Sequence, residues 1–253
     1  MHHAYVDRLS GMSSPMHRLD PRTKIICTLA FCGVAVSVPA DRLALLAWCA
    51  PPLIAALAVS RLPLVYFLKR CLLLSPFVAT VLVLFPFTQH SGTELARVGP
   101  LVVYSGGLLM SVGLAARFLC TVLAALILAC TTPFAALLRA LEGFRIPRLF
   151  IMVLSFLYRY LFVLVDESDR MRRARDSRSP RPGGAATLRA TPGMVGMLFI
   201  RTYDRSERVY SAMLARGFDG AVRTLDELHF HFADAAVLIG FAAYFIAAFI
   251  IAR

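Results

Sequence analysis

Two tripeptides, Ala174-Arg175-Asp176 and Ala215-Arg216-Gly217, each place an arginine after a small residue near the end of a helical stretch. A guanidinium is a planar fork of five donors that matches a carboxylate or exposed backbone carbonyls. With alanine beside it, a helix tip can enter a groove unobstructed. Arginine also favours helix C-termini for an ordinary reason, the macrodipole. The recurrence lifts docking above that reading, because both stretches carry proline or glycine punctuation and both arginines fall in one insertion between apolar runs. Two such tips suit a two-fold or pseudo-two-fold partner. They form a mechanical coupling surface and not a catalytic one.

Other chemistry-bearing residues weigh less. Arg117 is the one charge deep in an apolar run. Such a charge faces protein or water, so it is either satisfied by neighbouring carbonyls and hydroxyls or contacts a substrate or partner. His2-His3 and His229-x-His231 have metal-ligand chemistry. A terminal pair and a pair at the water edge of a span are weak ligand sets, and no metal is expected. There is no GxxxxGK[ST], HExxH or GxSxG. P-loop nucleotide hydrolysis is therefore excluded, and no catalytic residue or cofactor is indicated.

The elements holding these arginines follow from composition. Of 253 residues, 58% are hydrophobic and 17% charged, against about 45–50% and about 25% in a soluble domain. Lipid is the implied solvent. A net charge of +12 often marks nucleic-acid binding. Here the arginines cluster between apolar runs, which reads as a cytoplasmic face, with no nucleic-acid partner. Cys27, Cys32, Cys49, Cys71, Cys120 and Cys130 all sit inside apolar runs without CxxC spacing, as small buried hydrophobes. No A-x-A site follows the first run, so a cleaved signal peptide is not expected.

Five runs approach the roughly 20 apolar residues of a spanning helix. They are Lys24 to Val38; Arg42 to Val59, interrupted by Pro51-Pro52; Lys69 to Phe87, with Pro76 and Pro86; Gly106 to Cys130; and Phe232 to Ala252. A sixth, Arg148 to Val165, is long enough to cross. If it stays cytoplasmic, all of the 27 Lys+Arg except Arg42, Arg97, Arg117 and Arg253 lie inside, the asymmetry of the positive-inside rule. The expected fold is all-α and polytopic: five transmembrane helices, N-terminus inside, with a cytoplasmic helical region. Residues 1–130 form a bundle of four spans, 131–230 the cytoplasmic coupling helices, and 231–253 the last span.

Within the insertion, Thr132-Pro133 reads as an N-cap with proline at the first helical position. Phe134, Leu137, Leu138 and Leu141 form one apolar stripe, and Gly143 supplies the stop. A second helix, Arg148 to about Ser177, is apolar in its first half and charged in its second. A break follows over Ser179 to Gly184. Thr191-Pro192 repeats the N-cap signal for a third helix that stops at Gly217.

At these residues the chain resembles the transmembrane coupling (T) component of energy-coupling factor transporters, in the CbiQ-like branch of cobalt and nickel importers. The matching segments are SSPMHRLDPRTK (Ser13 to Lys24), TTPFAALLRALEGFRIPRLF (Thr131 to Phe150), SFLYRYLFVLVDESDRMRRARDSR (Ser155 to Arg178) and RSERVYSAMLARGFDG (Arg205 to Gly220). The resemblance implies a non-catalytic, multi-pass subunit in the inner membrane of a bacterium or archaeon. It implies two ABC-type ATPases and a substrate-binding membrane subunit as partners, with Arg175 and Arg216 each docking in one ATPase. The first motif departs from the family in carrying Asp176 where a small residue is common. Cobalt or nickel is the implied substrate, with a vitamin as the alternative. A different class of reading is a membrane enzyme whose basic face binds an anionic substrate. A third is a scaffold whose arginines bind lipid headgroups.

Overall fold

The computed structural model describes residues 14–39, 46–60, 63–88, 94–98, 101–178, 185–220 and 230–251. The chain divides into two compact units, Met1–Ala140 with Leu228–Arg253, and Leu141–Glu227. The first unit holds α1 (Pro15–Arg18), α2 (Pro21–Ser37), α3 (Ala50–Ser60), α4 (Leu64–Thr88), α5 (Ser105–Thr131), most of α6 (Phe134–Gly143) and, beyond the second unit, α9 (Phe232–Ile251). A short antiparallel hairpin, β1 (Glu94–Val98) with β2 (Leu101–Tyr104), joins α4 to α5. It is the one strand pair among the described residues, in a segment the apolar pattern left as a connection. Val98, Val102 and Val103 suit a pleated ribbon.

The first unit is organised on α5. Helices α2, α3 and α4 all pack against it, and α9 packs on α2. Gly107, Ser111 and Ala115 recur every four residues along α5 and are all buried. Small residues at this spacing let helix backbones approach closely where no hydrophobic force drives association. Phe31, Ala35, Cys49 and Ala124 form one core cluster, with Phe241 and Phe245 against it. Phe67, Ile127 and Cys130 form another. Cys49 and Cys130 thus behave as small apolar fillers. Outward positions are apolar as well: Leu68, Leu72 and Leu73 of α4 are exposed. That inversion marks a chain built for lipid and makes it a polytopic membrane protein.

Span by span, the runs map onto helices with three adjustments. Pro51 and Pro52 open α3 instead of interrupting it, because proline fits the first helical turn, where its missing N–H has no partner to lose. Only Leu46 to Val59 of the second run lies within the described residues. Helix α4 starts before Lys69, and its halves Val65–Leu73 and Val78–Pro86 are bent by 48° at a break that contains Pro76. Helix α5 is long and apolar enough to cross, and so is Arg148–Arg178. Length therefore does not separate the sixth run from a span, and charge asymmetry alone argues for keeping it inside. Helices α3 and α9 are shorter apolar helices.

The second unit pairs α7 (Arg148–Arg178) with α8 (Ala185–Leu214). Two expected helix starts need correction. The Thr132 hydroxyl is buried without a partner, and the first bonds of α6 go from the N–H groups of Ala136 and Leu137 to the Pro133 carbonyl. Thr191-Pro192 does not begin a helix either. Helix α8 starts at Ala185, and Pro192 lies inside it. Ala185, Ala186 and Leu188 are strong helix formers, and the proline removes a single bond near the N-terminal end. The break at residues 179–184 lies outside the described residues. Helix α6 ends at Gly143 as expected, but the left-handed residue is Arg145, at φ 62. In α6 the buried positions are Ala136, Leu138 and Ala140, so of the expected stripe only Leu138 is buried, with Phe134, Leu137 and Leu141 partly exposed.

If the small-residue face of α5 sets helix approach, Ala115→Leu overpacks it. The expected cost is about 1–3 kcal/mol, read as a lower melting temperature of the purified chain in detergent. An unchanged melting temperature would count against close packing at this face.

Candidate coupling surface

Helix α7 carries Ala174-Arg175-Asp176 into its last turn, ending at Arg178. The macrodipole favours a cation there. Arg175 is not free: Nε and Nη2 donate to Asp176 Oδ1 at 3.0 and 2.8 Å, and Nη1 lies 3.6 Å from Met194 Sδ on α8. Its side chain is 22% exposed. Asp176 thus holds Arg175 against its own helix.

The second tip differs. Gly217 takes φ +79, the left-handed region that glycine enters without penalty. Its N–H donates to the Leu214 carbonyl at 3.0 Å, and the Phe218 N–H to the Met213 carbonyl at 3.1 Å. These two bonds define a Schellman cap. Arg216 is therefore the C-cap residue, exposed beside exposed Ala215, and its guanidinium has no partner among the described residues. The glycine is required by the turn that ends α8, which explains why the motif is Ala-Arg-Gly there.

Between the tips and the middle of the unit, Glu167 ties the helices together. It accepts from Arg170 at 2.8 Å on its own helix and from Arg201 on α8. Arg201, and then Arg170, hold its carboxyl below the usual carboxylate range.

In the first unit, Arg117 donates from Nη2 to the Val38 carbonyl, just past the C-terminus of α2. Its Nε is buried without a partner. This arginine is thus met by one backbone carbonyl and left partly unpaired. His2, His3 and His229 lie outside the described residues. His231 donates its backbone N–H to Asp234 Oδ2 at 2.8 Å and so serves as the helix start of α9.

Sequence reasoning missed a buried polar knot in the same unit. Asp20 caps α2 by accepting the Arg22 N–H at 2.8 Å, and its own N–H donates to Asp234 Oδ1 at 2.8 Å. Lys24 donates from Nζ to the Thr131 carbonyl at 3.1 Å and the His17 carbonyl at 3.3 Å. Lys24 is 4% and Asp234 1% exposed. The knot joins the N-termini of α2 and α9 to the C-terminus of α5, where the chain turns into α6. Asp20-Pro21 was a readable N-cap signal, and Asp234 was a readable charge at the edge of an apolar run. Nothing local linked the two.

Comparison with known proteins completes the site. The family model described as cobalt transport protein, CbiQ, matches residues 12–226. The chain is 30% identical over 220 residues to the energy-coupling factor transporter transmembrane protein EcfT of Heliobacterium modesticaldum, covering 83% of this chain and 82% of that protein. It is 27% identical over 223 residues to the EcfT of Bacillus subtilis, with 82% of each covered. A 98-residue stretch is 34% identical to the cobalt transport protein CbiQ of Rhodobacter capsulatus, covering 39% of this chain and 40% of that one.

The knot makes its own demand. Asp234→Ala removes a buried carboxylate that accepts two backbone donors, leaving the buried Lys24 under-compensated, and is expected to cost about 3–5 kcal/mol. Asp20→Asn keeps a capping side chain and should cost under about 1 kcal/mol. Melting of the purified chain checks this, and equal losses for the two variants would contradict the ordering.

Proposed function

The chain belongs to the CbiQ family, as a transmembrane T component of energy-coupling factor transporters, and from that premise we propose that it couples two ABC-type ATPases to a substrate-binding membrane subunit through Arg175 and Arg216. As such it is a non-catalytic, multi-pass protein of a prokaryotic membrane, which removes the membrane-enzyme alternative. Residues 131–230 serve as the coupling region, and residues 1–130 with 231–253 as the bundle. The observation that carries the docking reading is that both Ala-Arg motifs sit at the C-terminal ends of the two helices of one unit, α7 and α8. Glu167 cross-links those helices, so motion delivered to either tip is passed to both.

The two tips work differently. Arg216 is available to enter a groove as it stands. Arg175 must exchange Asp176 for a carboxylate or carbonyl of the ATPase. Closure of the ATPases on ATP would move the tips, and the coupling helices would reorient the substrate subunit. Cobalt, or nickel, is the favoured cargo. The description of the family model and the name of one relative matched over 39% of the chain support it. A vitamin is the alternative, since two relatives matched over about four-fifths of their length are named EcfT without a substrate.

Charge reversal separates docking from general attraction. Arg175→Glu with Arg216→Glu is expected to cut ATPase retention on the tagged chain by roughly 30-fold or more, since losing a hydrogen-bonded interface charge costs about 2–5 kcal/mol. Membrane insertion should be unchanged. Arg216→Glu alone should cost more than Arg175→Glu alone. Equal loss from Arg172→Glu with Arg173→Glu would reduce the motifs to surface charge and sink the docking assignment.

A further inference from the structure

The cleft between α7 and α8 holds two arginines beside the Glu167–Arg201 tie. Arg201, Arg205 and Arg208 recur at i, i+4 and i+7 on α8 and so share one helix face. With Val163, Leu164 and Glu167 of α7 they line a cavity of about 150 Å³. Glu167 is already held between Arg170 and Arg201. That leaves Arg205 and Arg208 without a partner among the described residues. Asp204 also lines the cavity but makes no ion pair there. Arg205 is half-buried, and a partly desolvated charge without a counter-charge is unfavourable. What would complete the cleft is an anion, and two guanidinium forks fit the oxygens of a phosphate.

The flank of α8 says where that phosphate comes from. Met197 and Ile200 flank the arginine face on one side and are exposed, and Tyr203 and Phe199, toward the far side of the helix, are exposed as well. Apolar residues flanking a basic face are the pattern of a helix lying at a membrane surface, with its apolar side in the acyl boundary and its arginines at headgroup level. We propose that this cleft binds the phosphodiester headgroup of an anionic phospholipid, through Arg205 and Arg208, with the exposed side of α8 against its acyl chains. The site is distinct from Arg175 and Arg216 and stands whether or not those residues dock ATPases.

The full-length chain in mild detergent is titrated with phosphatidylglycerol or phosphatidylcholine of the same acyl chains, and bound lipid is read by native mass spectrometry. Phosphatidylglycerol should be retained in preference. Arg205→Gln with Arg208→Gln should weaken it roughly 25-fold, at about 5-fold per arginine near a membrane surface. Arg172→Gln with Arg173→Gln, an equal change in charge, should leave it within about 2-fold. Three results would overturn the site: no headgroup preference in the unmodified chain, an equal loss in the control pair, or full displacement by millimolar inorganic phosphate, which would make it a free-anion site. The headgroup comparison on the unmodified chain decides even if the glutamine variant fails to fold.

Discussion

Lys24 carries its ammonium into the protein and gives it to the carbonyl of Thr131, the last residue of α5. A cation at a helix C-terminus meets the negative end of the macrodipole and fills one of the carbonyls left without an intrahelical donor. Two carboxylates complete the arrangement. Asp20 opens α2, and Asp234, which closes on the backbone of Asp20 and His231, opens α9. Three helix ends far apart in the chain are therefore fixed at one point. In lipid, where apolar side chains gain nothing by leaving their neighbours for one another, buried polar ties of this kind carry much of the specificity. The rest of the bundle, organised on the small-residue face of α5, is consistent with that point being held.

The second unit solves a different problem. It carries an arginine at the C-terminal end of each of its two helices. A single carboxylate, Glu167, links α7 to α8 by accepting from an arginine on each. The tips then diverge in chemistry. One is a glycine-capped end whose guanidinium has no partner among the described residues, and the other an arginine paired with its neighbour Asp176. The similarity of the two motifs in sequence therefore conceals a difference in how their arginines are paired.

Most of the helices were legible because their signals are local. The stop at Gly217 is a requirement of one residue's backbone, and the structure gives it the φ that requirement demands. The apolar runs at residues 106–130 and 232–252 become α5 and α9 almost to the residue. The failures have a common cause. Thr132 and Thr191 each looked like an N-cap before proline, but a cap is decided by where the helix begins. Neighbouring alanines moved α8 upstream, and the Pro133 carbonyl took the first bonds of α6.

Composition, run length and charge placement determined by themselves that this is a polytopic helical membrane protein with an arginine-rich insertion and two arginine-tipped helices, because solvent preference and helix ends are properties of short stretches of chain. Tertiary structure alone decided that Asp20 meets Asp234, that Lys24 reaches Thr131 and that Arg117 is met by the Val38 carbonyl. Those outcomes depend on which buried donor lies within about 3 Å of which acceptor, and for residues 79 to 214 positions apart no local pattern encodes that distance.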